Sequence, residues 1–151
     1  MFTLTSDLEK YDITLPEILD KADFTILYFY PKDNTPWCTI EAVDFSKNRK
    51  KFKSIGAQIV WVSKDSHDSH CKFMTKHQLW FDLISDSDLD LHKQFDVWWE
   101  KSMYGKKYLG TIRSTFLLNK KGEILHARRN ISAVDHVENV LEICTQIINS
   151  K

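Results

Sequence analysis

The sequence predicts an α/β fold with a central mixed β-sheet flanked by helices. A β-branched and aromatic run at residues 25–30 and a second apolar run at 58–63 are typical of buried strands. Between them a helical pattern extends from about Pro36 to Ser54 and ends at Gly56. A strand, a helix and a strand so close in sequence make a βαβ unit, so the two strands should be parallel.

The carboxyl-terminal half supports the same fold. The polar turn 119–122 separates apolar runs at 114–118 and 123–127, which predicts a β-hairpin. An apolar stripe then predicts an amphipathic helix over about 133–148. This order of elements is typical of a thioredoxin-like fold, and the length suits one domain over residues 1–151.

Weaker signals cover the rest of the chain. Polar and apolar residues alternate before residue 25, which predicts β structure with a helical turn at Pro16. The other expected elements are a helix capped by Asp65 or Ser66 that ends near Gln78, a strand at 82–85, a short helix at 89–95 and a loop at 98–110.

Composition and charge exclude several classes of function. The 21 basic and 21 acidic residues balance, so nothing indicates binding to nucleic acid or to an anionic membrane. No apolar run could span a bilayer and no secretion signal begins the sequence, so we expect a cytoplasmic protein. Three widely spaced cysteines fit neither a secreted disulfide framework nor a paired zinc motif, which favours redox, catalytic or core roles.

Cys38 is the candidate nucleophile. Thr35 can cap a helix that begins at Pro36, which places Cys38 in the first turn. There the backbone N–H groups lack intrahelical partners and the helix dipole favours a thiolate over a thiol. The alternative is that Cys38 is a small buried apolar residue, as most free cysteines are.

The motif around Cys38 resembles that of a known family. The spacing Pro31-x-x-x-Thr35-x-x-Cys38 is similar to the active-site motif of the peroxiredoxins, and the run YFYPKDNTPWCTIEA resembles their bacterioferritin-comigratory protein, or peroxiredoxin Q, branch. The resemblance covers essentially the whole chain. It implies a thioredoxin fold and an antioxidant, thiol-dependent peroxidase without a cofactor, which reduces hydrogen peroxide and organic hydroperoxides through a cysteine sulfenic acid.

The resemblance also implies roles for the residues near Cys38. Thr35 would hold the peroxide and Pro31 would shield the sulfur, although Thr35 could equally be a simple N-cap. Arg113, just before the predicted hairpin, matches the arginine that lowers the cysteine pKa and stabilises the transition state. Glu41 would orient the first turn or Arg113, or it is a surface acid favoured by the helix dipole.

The resolving cysteine is the main open point. Many relatives carry it five residues after the reactive cysteine, where this chain has Val43. Cys71 is the candidate, since another subset of the family carries its resolving cysteine in that helix; the alternative is a helix cysteine without a redox role. Cys144 falls in the apolar stripe of the carboxyl-terminal helix, so we expect it to pack in the core without a redox role. If Cys71 resolves, thioredoxin or a similar dithiol is the reductant; otherwise glutathione or glutaredoxin is. We expect a monomer or a weak homodimer.

Three other features have competing interpretations. Trp37 replaces the usual glycine of the family and would narrow the pocket or cover the sulfur. His67, His70, Cys71 and His77 could form a metal site. From His67 to His77 the helix extends about 15 Å, too far for one ion, so we interpret the histidines as solvated rather than metal-binding. The aromatic and basic segment 98–108 could stack on nucleic acid, but neutral net charge favours a pocket wall or partner surface.

Two rival functions share this fold. A thioredoxin-like disulfide oxidoreductase normally needs a Cys-x-x-Cys pair, and the segment around Cys38 has a single cysteine. A non-enzymatic redox-sensing or binding module would keep the fold with an ordinary thiol pKa. Titration of Cys38 with a thiolate-selective reagent separates that case from the enzyme.

Overall fold

A computed structural model describes residues 2–6, 8–33, 36–79, 81–129 and 136–149, apart from the side chains at 36–38, 103 and 136–138. In these ranges the elements follow in the order β1 (Phe2–Ser6), β2 (Glu9–Ile13), α1 (Leu15–Leu19), β3 (Phe24–Phe29), α2 (Pro36–Lys47), α3 (Arg49–Ser54), β4 (Ala57–Ser63), α4 (His67–His77), β5 (Asp82–Ser85), α5 (Asp90–Gln94), β6 (Trp98–Met103), β7 (Lys106–Thr111), β8 (Ser114–Asn119), β9 (Ile124–Arg128) and α6 (His136–Asn149).

Seven strands form one mixed sheet in the order β2-β1-β5-β4-β3-β8-β9. The pairs β3–β4 and β4–β5 are parallel, and the outer pairs are antiparallel. The predicted parallel βαβ unit and the mixed sheet are therefore confirmed. β3 lies between β4 and β8, well inside the sheet, so its carboxyl end has a rigid neighbour on each side.

Both faces of β3 are buried, which explains its nearly continuous apolar sequence. Ile26 and Tyr28 belong to a core cluster that includes residues of α2, α3, α4 and α6. Leu27 and Phe29 belong to a second cluster, on the opposite face, that includes residues of α1 and α5. The sheet is thus covered by helices on both sides, as predicted.

Several predicted elements lie where the sequence placed them. β1 and β2 pair as the expected amino-terminal β structure, and Thr14 and Glu17 form a capping box at the helical turn that contains Pro16. Ser66 is the N-cap of α4, with its hydroxyl accepting from the backbone N–H of Ser69. α6 follows the predicted amphipathic pattern, while residues 133–135 of that prediction lie outside the described residues.

The predicted helix over about 36–54 was wrong as a single element. It is broken at Asn48, whose φ of −97° and ψ of 12° depart from helical geometry, so that α2 and α3 are separate helices. The Asn48 side chain donates to the carbonyl oxygen of Asp44 at 2.8 Å. An asparagine side chain that competes for backbone hydrogen bonds in this way favours helix ends over helix interiors.

The predicted loop over 98–110 was also wrong. β6 and β7 pair as a two-stranded antiparallel hairpin, from Trp98 opposite Thr111 to Met103 opposite Lys106. The turn contains Tyr104 and Gly105, both with positive φ, 53° and 77°. Two consecutive positive φ values are typical of the type I′ hairpin turn, but tyrosine is a poor sequence signal for it, so the hairpin was overlooked.

Among the helices in the described ranges, none combines the length and the apolar character that crossing a membrane requires.

Candidate active site

The segment that follows β3 carries the predicted motif. Pro31 is half-buried and comes just after the strand, and the loop leads into α2, which begins at Pro36. Cys38 is therefore the third residue of α2 and lies in its first turn, where the sequence placed it. Thr35 lies outside the described residues.

Arg113 lies at the carboxyl end of β3, the same end of the sheet from which this segment leaves. It directly precedes β8, whose first residue, Ser114, is paired with Phe29 at the end of β3. Its Nη1 donates to Tyr28 Oη at 2.6 Å, and its side chain is 15% exposed. The strand register thus brings the largely buried guanidinium of Arg113, which is distant in sequence, to the residues that precede α2.

Glu41 provides the counter-charge. Its Oε1 lies 3.5 Å from Arg113 Nη1, and its side chain is fully buried. The interpretation of Glu41 as a surface acid was therefore wrong, and the alternative in which it orients Arg113 agrees with this contact. Because Glu41 follows Cys38 by three residues, the two positions lie on the same face of α2 one turn apart.

The hydroxyl of Tyr28 holds the guanidinium of Arg113 in place. Its ring is fully buried and packs against Tyr30, Phe45 and Trp61, at centroid distances of 6.1, 5.9 and 4.7 Å. A tyrosine held by three aromatic neighbours keeps its hydroxyl at a defined point, and a buried hydroxyl needs a partner. Arg113 is that partner, so the position of the cation depends on the core of the protein.

The loop before α2 is anchored through Asp33, which is 5% exposed. Its backbone N–H donates to Asp65 Oδ2 at 2.8 Å. Its own carboxylate accepts from the hydroxyl of Tyr30 at 2.5 Å and from that of Ser69 at 2.8 Å. Burial, followed by the charge of Asp33 and the hydrogen bond to it, raises the pKa of Tyr30 well above 10, so Tyr30 remains a donor.

His70 completes this anchor. Its Nδ1 lies 2.7 Å from Asp33 Oδ2, and its Nε2 lies 3.2 Å from the carbonyl oxygen of Ile84. The ring therefore contacts the loop before α2 through one nitrogen and the backbone of β5 through the other. The side chain is fully buried, so the prediction of a solvated His70 was wrong.

The described residues contain no group of three or more histidines, cysteines and acids that could hold a metal ion. His67 and His70 instead take part in separate hydrogen-bonded contacts, with Thr5 and with Asp33. His77 packs edge-on against Phe73. Each histidine of α4 therefore has a structural contact of its own.

Cys71 lies in α4 and is half-buried. It borders an open groove of about 380 Å³ lined also by Leu8, Lys72, Thr75 and Lys76. Its accessibility agrees with the expected resolving role, which stays a prediction. Burial and then the charge of Asp68 raise the pKa of the Cys71 thiol.

Cys144 lies in α6 and is 2% exposed. It is part of the core cluster on the α2 side of the sheet, as its spacing in the sequence predicts. Burial raises the pKa of its thiol to about 12, so it is a thiol at physiological pH. A protonated, enclosed thiol is a packing residue rather than a nucleophile.

The sequence reasoning missed Tyr28, Asp33 and His70. One signal was available for Tyr28, because a hydroxyl-bearing ring inside a buried strand needs a partner. For Asp33 and His70 no local signal exists, since 37 positions separate them and only the packing of α4 against the sheet brings them together.

Comparison with known proteins decides the family. The model of the AhpC/TSA family matches residues 1–127. The chain belongs to this family. Within the AhpC/TSA family, it is similar to peroxiredoxin Bcp of Bacillus subtilis, with 44% identity over 122 residues that cover 81% of the chain and 78% of the relative. It is also 47% identical to peroxiredoxin Bcp of Xanthomonas campestris over 116 residues, 77% of the chain and 72% of the relative.

Solved structures support the same family assignment. Peroxiredoxin Q of Xanthomonas campestris superposes with a TM-score of 0.88 at 39% identity, over 97% of this chain and 90% of the other. The thioredoxin-like fold is therefore confirmed, and so is the identification as an AhpC/TSA protein of the Bcp, or peroxiredoxin Q, branch. The expected class of activity, a thiol-dependent peroxidase, follows from this membership. The role of each site residue stays a prediction.

Proposed function

We propose that this peroxiredoxin reduces hydrogen peroxide and organic hydroperoxides with Cys38 as the nucleophile, Arg113 as the activating cation and Glu41 and Tyr28 as the groups that position it. The observation that carries the proposal is the contact between Arg113 and Glu41, 3.5 Å apart on buried side chains. It brings a guanidinium to the face of α2 on which Cys38 is also positioned, one turn earlier.

The first chemical step is a substitution at oxygen. The thiolate of Cys38 attacks the terminal oxygen of the peroxide, a sulfur–oxygen bond forms and the oxygen–oxygen bond breaks. The leaving oxygen takes a proton from solvent and departs as water or as an alcohol. Cys38 is left as a sulfenic acid, the first level of thiol oxidation.

Arg113 stabilises both the reactant thiolate and the transition state of this step. Negative charge resides on sulfur before the reaction and moves to the leaving oxygen during it, so a fixed cation nearby favours the thiolate and the transition state. A helix terminus alone contributes about 1 kcal/mol or less, which is too little for a strong effect. The hydrogen bond to Tyr28 and the contact with Glu41 hold Arg113 in place before substrate arrives.

Thr35 and Pro31 would shape the peroxide pocket. Thr35 would donate its hydroxyl to the peroxide, and Pro31, half-buried directly after Tyr30, would cover the sulfur and exclude water. The anchor at Asp33 supports this arrangement, because it holds the loop between these two residues by four hydrogen-bonding partners, Tyr30, Asp65, Ser69 and His70. A loop held in this way presents a preorganised pocket.

The substrate range includes organic hydroperoxides in this proposal. A bacterioferritin comigratory protein of Xanthomonas campestris, 38% identical and superposing with a TM-score of 0.88, has been studied for its alkyl peroxide reduction activity. Its similarity over 97% of this chain supports the extension to alkyl hydroperoxides.

Cys71 is proposed as the resolving cysteine. Its thiol would attack the sulfenic sulfur of Cys38, release water and form a disulfide, which thioredoxin or a similar dithiol then reduces. A disulfide requires the two Cα atoms to come within about 7 Å, and we infer that one or both of α2 and α4 unfold locally to bring them together. If Cys71 does not resolve, glutathione or glutaredoxin would reduce the sulfenic acid directly.

We further infer that residues 1–151 act as one domain in the cytoplasm, as a monomer or a weak homodimer, without nucleic acid or membrane partners. The single seven-stranded sheet in the described residues supports one domain. Size-exclusion chromatography with light scattering, in the reduced and the oxidised protein, tests the oligomeric state.

The decisive experiment is peptide mapping under non-reducing conditions after one equivalent of hydrogen peroxide. We expect a Cys38–Cys71 crosslink in the unsubstituted protein, its loss in Cys71→Ser with sulfenic acid retained at Cys38, and no peroxide consumption by Cys38→Ser. Cys144→Ser is the matched control and should form the crosslink normally.

Two outcomes contradict parts of the proposal. Continued peroxide reduction by Cys38→Ser would remove Cys38 from the chemistry. Oxidation of Cys38 without a crosslink to Cys71 would make this a one-cysteine enzyme, reduced by an external thiol.

A further inference from the structure

Cys71 has a histidine neighbour, His67, to which the proposed mechanism assigns no role. His67 precedes it by one turn of α4, and the His67 Nε2 atom lies 3.4 Å from Cys71 Sγ. On the other side of the ring, His67 Nδ1 lies 2.7 Å from Thr5 Oγ1. The hydroxyl of Thr5, a fully buried residue of β1, therefore orients the imidazole that contacts the sulfur.

We propose that His67 is the general base of the resolving step, held by Thr5 and acting on Cys71. The inference rests on the proposed function, since it takes Cys71 as the resolving cysteine. With Nδ1–H donating to Thr5 Oγ1, the lone pair of Nε2 is left to accept the thiol proton. This is the arrangement of nucleophile, base and orienting group that activates weak nucleophiles.

The surroundings of Cys71 create the need for a base. Burial, with the charge of Asp68, raises the pKa of its thiol, so little thiolate forms at neutral pH unless a group accepts the proton. The carbonyl oxygen of Leu8, 3.6 Å from the sulfur, can accept a hydrogen bond from the thiol but cannot take the proton. Lys72 and Lys76, which line the same groove, have no role as bases while they are charged. His67 is the titratable nitrogen in contact with the sulfur.

The step balances without any further reagent. His67 Nε2 takes the proton from Cys71, and the thiolate attacks the sulfur of the Cys38 sulfenic acid. The new sulfur–sulfur bond forms as the sulfur–oxygen bond breaks. The departing hydroxide receives the proton from the His67 imidazolium, directly or through water, so the products are a disulfide and one water molecule.

The first test isolates the Cys71 thiol. The double variant Cys38→Ser/Cys144→Ser retains Cys71 as the only one of the three cysteines of the chain. The rate of alkylation of Cys71 by iodoacetamide is then measured at neutral pH. We expect His67→Gln to lower this rate by about tenfold or more, because it removes the proton acceptor. His77→Gln is the matched control, the same change at the other end of α4, and should leave the rate unchanged.

Thr5 provides a second, graded test in the same background. Thr5→Val removes the hydroxyl that orients His67 and should slow alkylation, while Thr5→Ser keeps the hydroxyl and should restore it. Thermal melting of each variant identifies any loss of folding. Equal rates for His67→Gln and His77→Gln would overturn the proposal.

The second test measures the step itself. The otherwise unsubstituted protein and His67→Gln receive one equivalent of hydrogen peroxide, and sulfenic acid and disulfide are followed in quenched samples. We expect His67→Gln to form sulfenic acid at the normal rate and the Cys38–Cys71 disulfide about tenfold more slowly.

The two tests separate failure of this inference from failure of the proposed function. If the unsubstituted protein never forms the disulfide, Cys71 is not the resolving cysteine and the step is overturned with that assignment. If the disulfide forms equally fast in both proteins, Cys71 resolves without His67, and only the present inference fails.

Discussion

Asp33 and His70 form a fully buried pair in which 2.7 Å separates Asp33 Oδ2 from His70 Nδ1. Asp33 belongs to the loop that leads into the helix of Cys38, and His70 precedes Cys71 in α4. Together with the hydrogen bond from the Ser69 hydroxyl to Asp33, this pair links the segment before the proposed peroxidatic cysteine to the helix of the proposed resolving cysteine. Local unwinding of either helix has to proceed around this link or break it.

Replacing His70 tests the strength of the link. In His70→Ala the buried carboxylate of Asp33 loses one hydrogen-bonding partner, and a buried polar group that loses a partner costs about 1–3 kcal/mol. We expect a decrease of about 2 kcal/mol in the free energy of unfolding, measured by urea titration. Lys76→Ala, an exposed change in the same helix, should stay within about 0.5 kcal/mol. A His70→Ala protein as stable as Lys76→Ala would mean that the pair contributes little.

Replacing Arg113 tests its proposed activating role. Arg113→Ala should lower the second-order rate constant for oxidation of Cys38 by about 10²–10³-fold, the usual cost of removing a fixed electrostatic group from an active site. Arg113→Lys keeps the charge but not the planar donor geometry and should be intermediate. Stopped-flow fluorescence under single-turnover conditions gives the rate. Arg128→Ala, at an exposed arginine of β9, is the control and should react normally; comparable losses in Arg113→Ala and Arg128→Ala would argue against a specific role.

The contact between Glu41 and Arg113 should appear as a coupling energy. Glu41→Gln, Arg113→Ala and the double variant form a double-mutant cycle, read in the same oxidation rate. Because Glu41 Oε1 lies 3.5 Å from Arg113 Nη1, we expect the two changes to be non-additive, with a coupling of about 0.5–3 kcal/mol. Additive effects would show that Glu41 acts independently of Arg113.

Acid stability should depend on a second buried pair, remote from Cys38 in sequence. Burial by itself raises the pKa of Asp86, but hydrogen bonds from the His92 side chain and from the backbone N–H groups of His92 and Leu91 outweigh it and lower the pKa below 3.8. A carboxyl group with a depressed folded-state pKa stabilises the protein above its unfolded-state pKa, and this contribution is lost as pH falls through the folded-state pKa.

Asp86→Asn should therefore be less stable than the unsubstituted protein at neutral pH, and the difference should shrink as the pH falls below the ordinary aspartate pKa of about 3.9. Urea unfolding at a series of pH values measures it. Asp88→Asn, an exposed change just after Asp86, is the control and should run parallel to the unsubstituted protein. A difference for Asp86→Asn that does not change with pH would rule out this linkage.

Elements with strong local signals were predicted well. Thr35 and Pro36 predict a helix start, and α2 begins at Pro36, so the place of Cys38 in the first turn was correct. The apolar runs of β3 and β4 and the polar turn between β8 and β9 were equally clear. The two errors in secondary structure, the break at Asn48 and the hairpin at Tyr104 and Gly105, occur where one or two residues depart from the preference of their neighbours.

The sequence by itself determined the strand, the turn, the helix start and the cysteine within it, because these depend on preferences that act over a few residues. The tertiary structure alone decided the partners. Arg113 and Tyr28 are 85 positions apart, and Asp33 and His70 are 37 apart, yet each pair is in hydrogen-bonding contact. Strand order places Ser114 beside Phe29, which brings the neighbouring Arg113 to the buried hydroxyl of Tyr28. Such contacts depend on the whole sheet, so no local stretch of the sequence encodes them.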